Sequence, residues 1–168
     1  VQTQFDTGIF KSYDVRGIYP TQLNDAFAYL FGRGFAAYLQ QRSPSKALTV
    51  AVGRDMRTSG PALAEAFTRG LVEQGVDVVD IGQVSTDAIY FAVGKYGFDG
   101  GAMITASHNP KEYNGFKLCR SEAIALSSKE GLDEIRAMIE RGSFPEPARR
   151  GSISRRDILD DFALHCLS

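Results

Sequence analysis

LTVAVGRDMRTSGPALAEAFTRGLVEQGVDVVDI, residues 48–81, decides the fold. Leu48 to Gly53 is a short apolar run rich in β-branched residues and reads as a strand. The polar loop RDMRTSGP follows, and Leu63, Phe67, Leu71 and Val72 then recur at the spacing of a helix face. Gly75 closes that helix, and Val76 to Ile81 reads as the next strand. Two strands joined through a helix make a parallel pair, so this stretch predicts an open sheet covered by helices.

The same alternation extends in both directions. Upstream, Leu23, Phe27, Leu30, Phe31, Phe35, Tyr38 and Leu39 mark an amphipathic helix to about Gln41, with Asn24 and Asp25 as start signals. Downstream, Ser85 or Thr86 can cap a helix through Tyr96, and Asp99 to Ile104 is extended. Gly115 to Cys119 and Ala123 to Leu126 are further short strands, at least one of them antiparallel. Ser127 with Glu130 fits a capping box for a last helix that Gly142 ends. The expectation is a three-layer α/β/α domain on a mostly parallel, mixed sheet. The stretch from Gly142 to Arg156, with two prolines and four arginines, reads as an exposed and mobile linker. The boundary is placed near residue 150, with 151–168 as linker and the start of a second, truncated domain. The helical pattern at Ile158, Phe162 and Leu164 has nothing to pack against in this reading.

Composition excludes several function classes. With 19 Lys and Arg against 20 Asp and Glu among 168 residues, the chain lacks the broad positive field that nucleic-acid and membrane-surface binders use. No apolar run approaches a membrane span and no signal-peptide pattern is present, so a cytoplasmic protein is expected. Cys119 and Cys166 lack the partners of a zinc site or a disulfide framework and read as ordinary thiols. Gly32-Arg33-Gly34-Phe35-Ala36-Ala37 matches a dinucleotide fingerprint but falls inside a helix, where glycines serve close packing instead.

Three polar clusters remain. Lys11-Ser12-Tyr13-Asp14-Val15-Arg16-Gly17 concentrates a phenol, a carboxylate and two cations, although a solvated edge strand explains it as well. Arg54 and Arg57 follow the carboxyl end of a strand, the edge where open α/β sheets collect ligands, although a structural Arg54 paired with Asp55 is equally consistent. In GAMITASHNPKEYNGFKL, residues 101–118, an apolar strand runs directly into Thr105, Ser107, His108 and Asn109. Pro110 and the absence of GxSxG disfavour a hydrolase elbow, and on these residues alone the cluster is either a site or a well-bonded turn.

TASHNPKEYNGFKL (105–118), FKSYDVRGIYP (10–20) and VGRDMRTSG (52–60) together resemble, in order and spacing, three motifs of the α-D-phosphohexomutases, phosphomannomutase/phosphoglucomutase type. The resemblance covers the first of that family's four domains. It implies a reversible phosphoryl shift between the 1- and 6-hydroxyls of glucose or mannose phosphates, through a phosphoserine and a sugar 1,6-bisphosphate. Ser107 would carry the phosphoryl group. Tyr13, Arg16, His108 and Lys117 match positions around the reacting group; Arg16, Lys117, Asn109 and Arg54 would bind substrate or phosphate. His108 or Lys117 would assist proton transfer.

The resemblance also implies Mg²⁺, for which Ser107 would supply one ligand through its phosphate oxygen. The family's Asp-rich metal loop, its sugar-recognition motif and its second phosphate loop lie in domains not contained in these 168 residues. The expected partners are a hexose phosphate and the remaining domains of the same enzyme, and the chain alone should be inactive. Phosphoglucosamine mutase is the alternative within the family, although YNGFK and DVRGIYP resemble the glucose and mannose enzymes more. A non-catalytic phosphosugar-binding module is the alternative from another class.

Overall fold

A computed structural model describes residues 5–44 and 46–168. In chain order the elements are β1 (Val15–Ile18), α1 (Asp25–Arg42), β2 (Thr49–Arg54), α2 (Gly60–Glu73), β3 (Asp77–Gln83) and α3 (Thr86–Tyr96). They continue as β4 (Gly100–Ile104), β5 (Tyr113–Arg120), β6 (Ile124–Ala125), α4 (Asp133–Arg141), β7 (Ile153–Arg155) and α5 (Leu159–Leu167). One sheet runs β1-β5-β4-β2-β3-β7, with β6 joined to β5. β2, β3, β4 and β7 are parallel, while β5 runs against β1, β4 and β6. The expected mixed, mostly parallel sheet is therefore present, and the antiparallel strand is β5.

Alternation along the strands sorts the core into two layers. Val50, Val52, Ala102, Ile104, Phe116 and Leu118 face α1, α2 and α4; Ala51, Met103 and Cys119 face α3. On the first side an aromatic run from Phe27 through Phe31 and Phe67 to Phe116 has ring centroids 5.0–6.0 Å apart. Gly32 of the apparent dinucleotide motif and Gly70 of α2 meet in this layer: a Cβ on Gly32 would stand 2.2 Å from the Phe67 carbonyl oxygen, and one on Gly70 2.1 Å from that of Tyr29. They permit close contact between α1 and α2. Burial on the second side pushes the Cys119 thiol up to about 12, so this thiol is inert. No helix among the described residues is long and apolar enough to cross a membrane.

Local signals act as read in most places and fail in two. Asn24 caps α1 by accepting from the Phe27 amide at 2.9 Å, and Gly142 ends α4 in the left-handed region. The Ser127–Glu130 capping box does not form. Gly131, at φ +128°, breaks the turn, and the Ser127 backbone carbonyl takes the amides of Glu130 and Leu132 instead, so α4 starts at Asp133.

The second failure is the tail, which is exposed as expected but is bonded to the sheet instead of running free as a linker. Asp77 holds it: its Oδ1 accepts from the Ser152 amide at 2.9 Å and its Oδ2 from Arg149 Nη2 at 2.8 Å. Gly151 donates to the Val72 carbonyl, and β7 then extends the sheet alongside β3. The last helical pattern does find a surface. Ile158 is buried in the second layer, and Phe162 lies 5.4 Å from Phe91 between ring centroids. Prolines and arginines obscured this in the sequence because the acceptors that fix the segment sit on β3 and α2.

Candidate functional site

Loops at the carboxyl ends of β2 and β4 meet, because the two strands are adjacent and parallel. β5 returns antiparallel and carries β1 on its far side, so residues 14–18 flank the same region. Thr105 continues β4 by donating its amide to the Gly115 carbonyl at 3.0 Å. Its hydroxyl accepts from the Ser107 amide at 2.9 Å and donates to Asp55 Oδ2 at 2.7 Å. Ser107 then adopts φ +55°, a left-handed backbone conformation uncommon for a residue with a Cβ.

This turn lifts Ser107 out of the sheet edge. Its side chain is exposed and its Oγ stands 3.0 Å from His108 Nδ1. With the ring proton on Nε2, Nδ1 accepts the serine hydroxyl; with both nitrogens protonated, it donates to an oxygen placed there. Ser107 and His108 line two adjoining clefts. One, of about 730 Å³, is completed by Tyr19, Met56, Asn109 and Lys111; the other, of about 720 Å³, by Gln83, Ser85 and Thr86.

Arg16 and Lys117 lie on the sheet face opposite Val15 and Phe116, as the two-residue period requires. Both turn to one nearly buried carboxylate. Arg16 Nε donates to Asp14 Oδ2 at 3.1 Å, Arg16 Nη2 reaches the same oxygen, and Lys117 Nζ is 3.5 Å from it. Arg16 Nη1 also donates to Asn109 Oδ1 at 2.6 Å, which ties this pair to the serine loop. Two cations share one anion, so a net positive charge faces a cleft of about 870 Å³ that Lys11, Tyr13 and Asn109 also line. Such a recess attracts anions and orients the donors that receive them.

The two loop arginines part company. Arg57 passes beneath the serine loop, donating through Nη1 to the carbonyls of Pro110 and Tyr113 and through Nη2 to those of Ser107 and Asn109, all at 2.7–2.9 Å. Arg54 lines a different cleft, of about 520 Å³, with Arg69, Asp80, Arg150 and Arg155. The structure therefore brings Ser107, His108, Asn109, Arg16, Lys117 and Tyr13 to one edge and leaves Arg54 apart from them.

The Phosphoglucomutase/phosphomannomutase, alpha/beta/alpha domain I family matches residues 7–146. The chain belongs to this family. Family relatives include a Klebsiella pneumoniae phosphomannomutase, 42% identical over 155 residues, covering 91% of this chain and 95% of that one. An Escherichia coli phosphomannomutase is 41% identical over 160 residues, covering 94% of this chain and 34% of its own length. A Neisseria meningitidis serogroup B phosphoglucomutase is 39% identical over 157 residues, covering 94% of this chain and 33% of its own. Against those two the chain spans about a third of the relative's length. A solved family structure from Burkholderia thailandensis superposes with a TM-score of 0.81 at 34% identity, covering 95% of this chain and 35% of that one.

Asp14, Asp55 and Thr105 stood in the clusters read from the sequence, but without the partners the structure gives them. Asp14 had a usable signal: two residues before Arg16 in an extended segment, it shares that residue's face. Asp55 and Thr105 carried none, because their hydrogen bond joins residues fifty apart.

Proposed function

We propose that this chain is the phosphoserine-bearing part of a hexose-phosphate mutase, with Ser107 as the residue that gives and takes the phosphoryl group. The observation that carries this reading is the exposed Ser107 hydroxyl on a fixed turn, linked through Asn109 to the Arg16–Asp14–Lys117 cluster. In the forward half-reaction a sugar hydroxyl oxygen attacks phosphorus and the Ser107 Oγ–P bond breaks. The electron pair returns to Oγ, and the sugar hydroxyl loses its proton. His108, next to Oγ, accepts and redelivers that proton. The reverse half-reaction returns the other phosphoryl group of the sugar 1,6-bisphosphate to Ser107. Arg16 and Lys117 stabilise the oxygens on which negative charge gathers, and Asn109 and Tyr13 shape the entry for the sugar phosphate.

This chain's residues do not by themselves fit Mg²⁺. Among the described residues no group of three or more His, Cys, Asp or Glu could hold a metal ion, and Asp55 is committed to Thr105 and Arg57. A hard divalent ion needs about six oxygens, so no step here is routed through it. Mg²⁺ and the far end of the sugar fall to the polypeptide that longer relatives possess, in a cytoplasmic enzyme of carbohydrate metabolism. The domain carrying the serine loop extends past residue 150, because β7 lies beside β3 in its sheet and Ile158 is buried in its second layer.

The experiment uses the full-length polypeptide and ³²P-labelled glucose 1,6-bisphosphate. Label should appear on Ser107 and vanish with turnover in Ser107→Ala, while Arg16→Met and Lys117→Met should each lose on the order of 10²-fold in kcat/KM. Label persisting in the alanine variant, or turnover near wild type in both methionine variants, overturns the assignment.

A further inference from the structure

Arg57 is the least surface-like arginine near the site. Its four Nη hydrogens meet four carbonyl oxygens, those of Ser107, Asn109, Pro110 and Tyr113, so none remains for a phosphate. Its Nε is buried without a hydrogen bond, 3.4 Å from Asp55 Oδ2. Those acceptors span the loop from its serine to the start of β5.

Asp55 completes the device. Its Oδ1 accepts from the Arg57 amide at 3.1 Å, and its Oδ2 accepts from the Thr105 hydroxyl, which in turn holds the Ser107 amide. The peptide group before Ser107 is thus fixed through Thr105 and Asp55, and the one after it through Arg57. Those two peptide planes define φ and ψ of Ser107, which is how a residue with a Cβ is kept at φ +55°. There is a second consequence. The peptide between Ser107 and His108 is trans, so the His108 N–H points away from Arg57, and among the described residues it has no acceptor. A fixed backbone donor beside Ser107 is thereby left available to a phosphoryl oxygen.

The geometry points to Arg57 as the positioning residue of the serine loop: its largely covered guanidinium, forked onto four loop carbonyls and backed by Asp55, sets where Ser107 and the His108 amide stand, and although its edge lines the serine cleft it has no Nη hydrogen left over for substrate. The inference rests on the proposed mutase role of Ser107. It separates Arg57 from Arg16 by chemistry. A single ammonium cannot span four converging carbonyls, so lysine fails at 57, whereas a charge facing a phosphate is partly replaceable by lysine.

The test uses the full-length polypeptide with glucose 1-phosphate as substrate and labelled glucose 1,6-bisphosphate as phosphoryl donor. Arg57→Lys and Arg57→Ala should lower kcat on the order of 10²-fold, the cost of a displaced reacting group, with KM for glucose 1-phosphate changed by less than about threefold. Millimolar guanidinium chloride should restore part of the activity of Arg57→Ala, and sodium chloride at equal ionic strength should not. Thr105→Val cuts the same network at its other end and retains shape, so it should show the same split between kcat and KM even where an Arg57 variant folds poorly. If wild type takes no label on Ser107, the mutase reading fails and this inference with it. If wild type is labelled yet Arg57→Lys, or Thr105→Val, keeps wild-type kcat, or if the loss lies in KM, the positioning role alone is overturned.

Discussion

Replacing Ser107 by glycine and by alanine separates backbone strain from side-chain chemistry, since both changes remove the hydroxyl and only one accepts the observed backbone. At φ +55° a residue with a Cβ stands about 1–2 kcal/mol above glycine. Against this, glycine gives the unfolded chain more freedom, which costs about 0.5–1 kcal/mol relative to alanine. The exposed contact between Ser107 Oγ and His108 disappears in both variants and cancels from the comparison. Ser107→Gly should therefore be more stable than Ser107→Ala by about 0.5–1 kcal/mol, or about 1–4 °C in melting temperature for a chain of this size. Urea titrations of the 168-residue chain, followed by circular dichroism with a common m-value, resolve such a difference. An alanine variant as stable as the glycine variant, or more so, would refute the reasoning: the loop would not hold Ser107 in the left-handed region, and the Arg57–Asp55 frame would have no strain to restrain.

Two further outcomes follow from packing and charge. Gly70→Ala would push a Cβ to within 2.1 Å of the Tyr29 carbonyl oxygen, so α1 and α2 must separate, and the chain should lose about 2–3 kcal/mol in a chemical denaturation series. Asp77 has its carboxyl pKa lowered, chiefly by the hydrogen bond from Arg149; burial opposes this, and the hydrogen bonds from Ser152 lower it further. A lowered folded-state pKa contributes stability above the ordinary carboxylate range, and that contribution is lost as pH falls through the folded value. Hydrogen-exchange protection factors, corrected for intrinsic rates, should fall in residues 149–156 below about pH 4, and Asp77→Asn should lower them equally at pH 7 and remove their further fall in acid.

Much of the fold was legible because burial in this domain follows the period of each element. β2, β3 and β4 are short apolar runs, and α1 and α2 repeat their aromatic and leucine positions every third or fourth residue. Where a segment is held by polar acceptors on distant elements, period says nothing. The tail from Arg149 to Arg155 depends on one carboxylate of β3, and Pro145 and Pro147 made it read as a linker. The site divides in the same way. TASHNP announced itself by a change from apolar to polar at a strand end, whereas Arg54 and Arg57 are indistinguishable in sequence. Three residues apart in one turn, they leave β2 in different directions, one toward Asp80 and the other under the serine loop.

That parting shows how the fold allots its cations. A guanidinium that must organise backbone is buried and saturated by carbonyls, with its charge answered by Asp55; the cations meant for an anion are kept half-exposed and short of negative partners. Asp14 is the pivot of the second group. Deleting it would add positive potential to the cleft, yet it would free Arg16 and Lys117 from a common oxygen and leave their side chains to solvent. For phosphoryl transfer the arrangement counts more than the potential, because a donor that has to reorganise as charge develops stabilises it less than one already in place. On the proposed mutase reading, a buried carboxylate between two cations gives up part of the attraction for substrate and fixes in advance where the charge on the transferred group would be met.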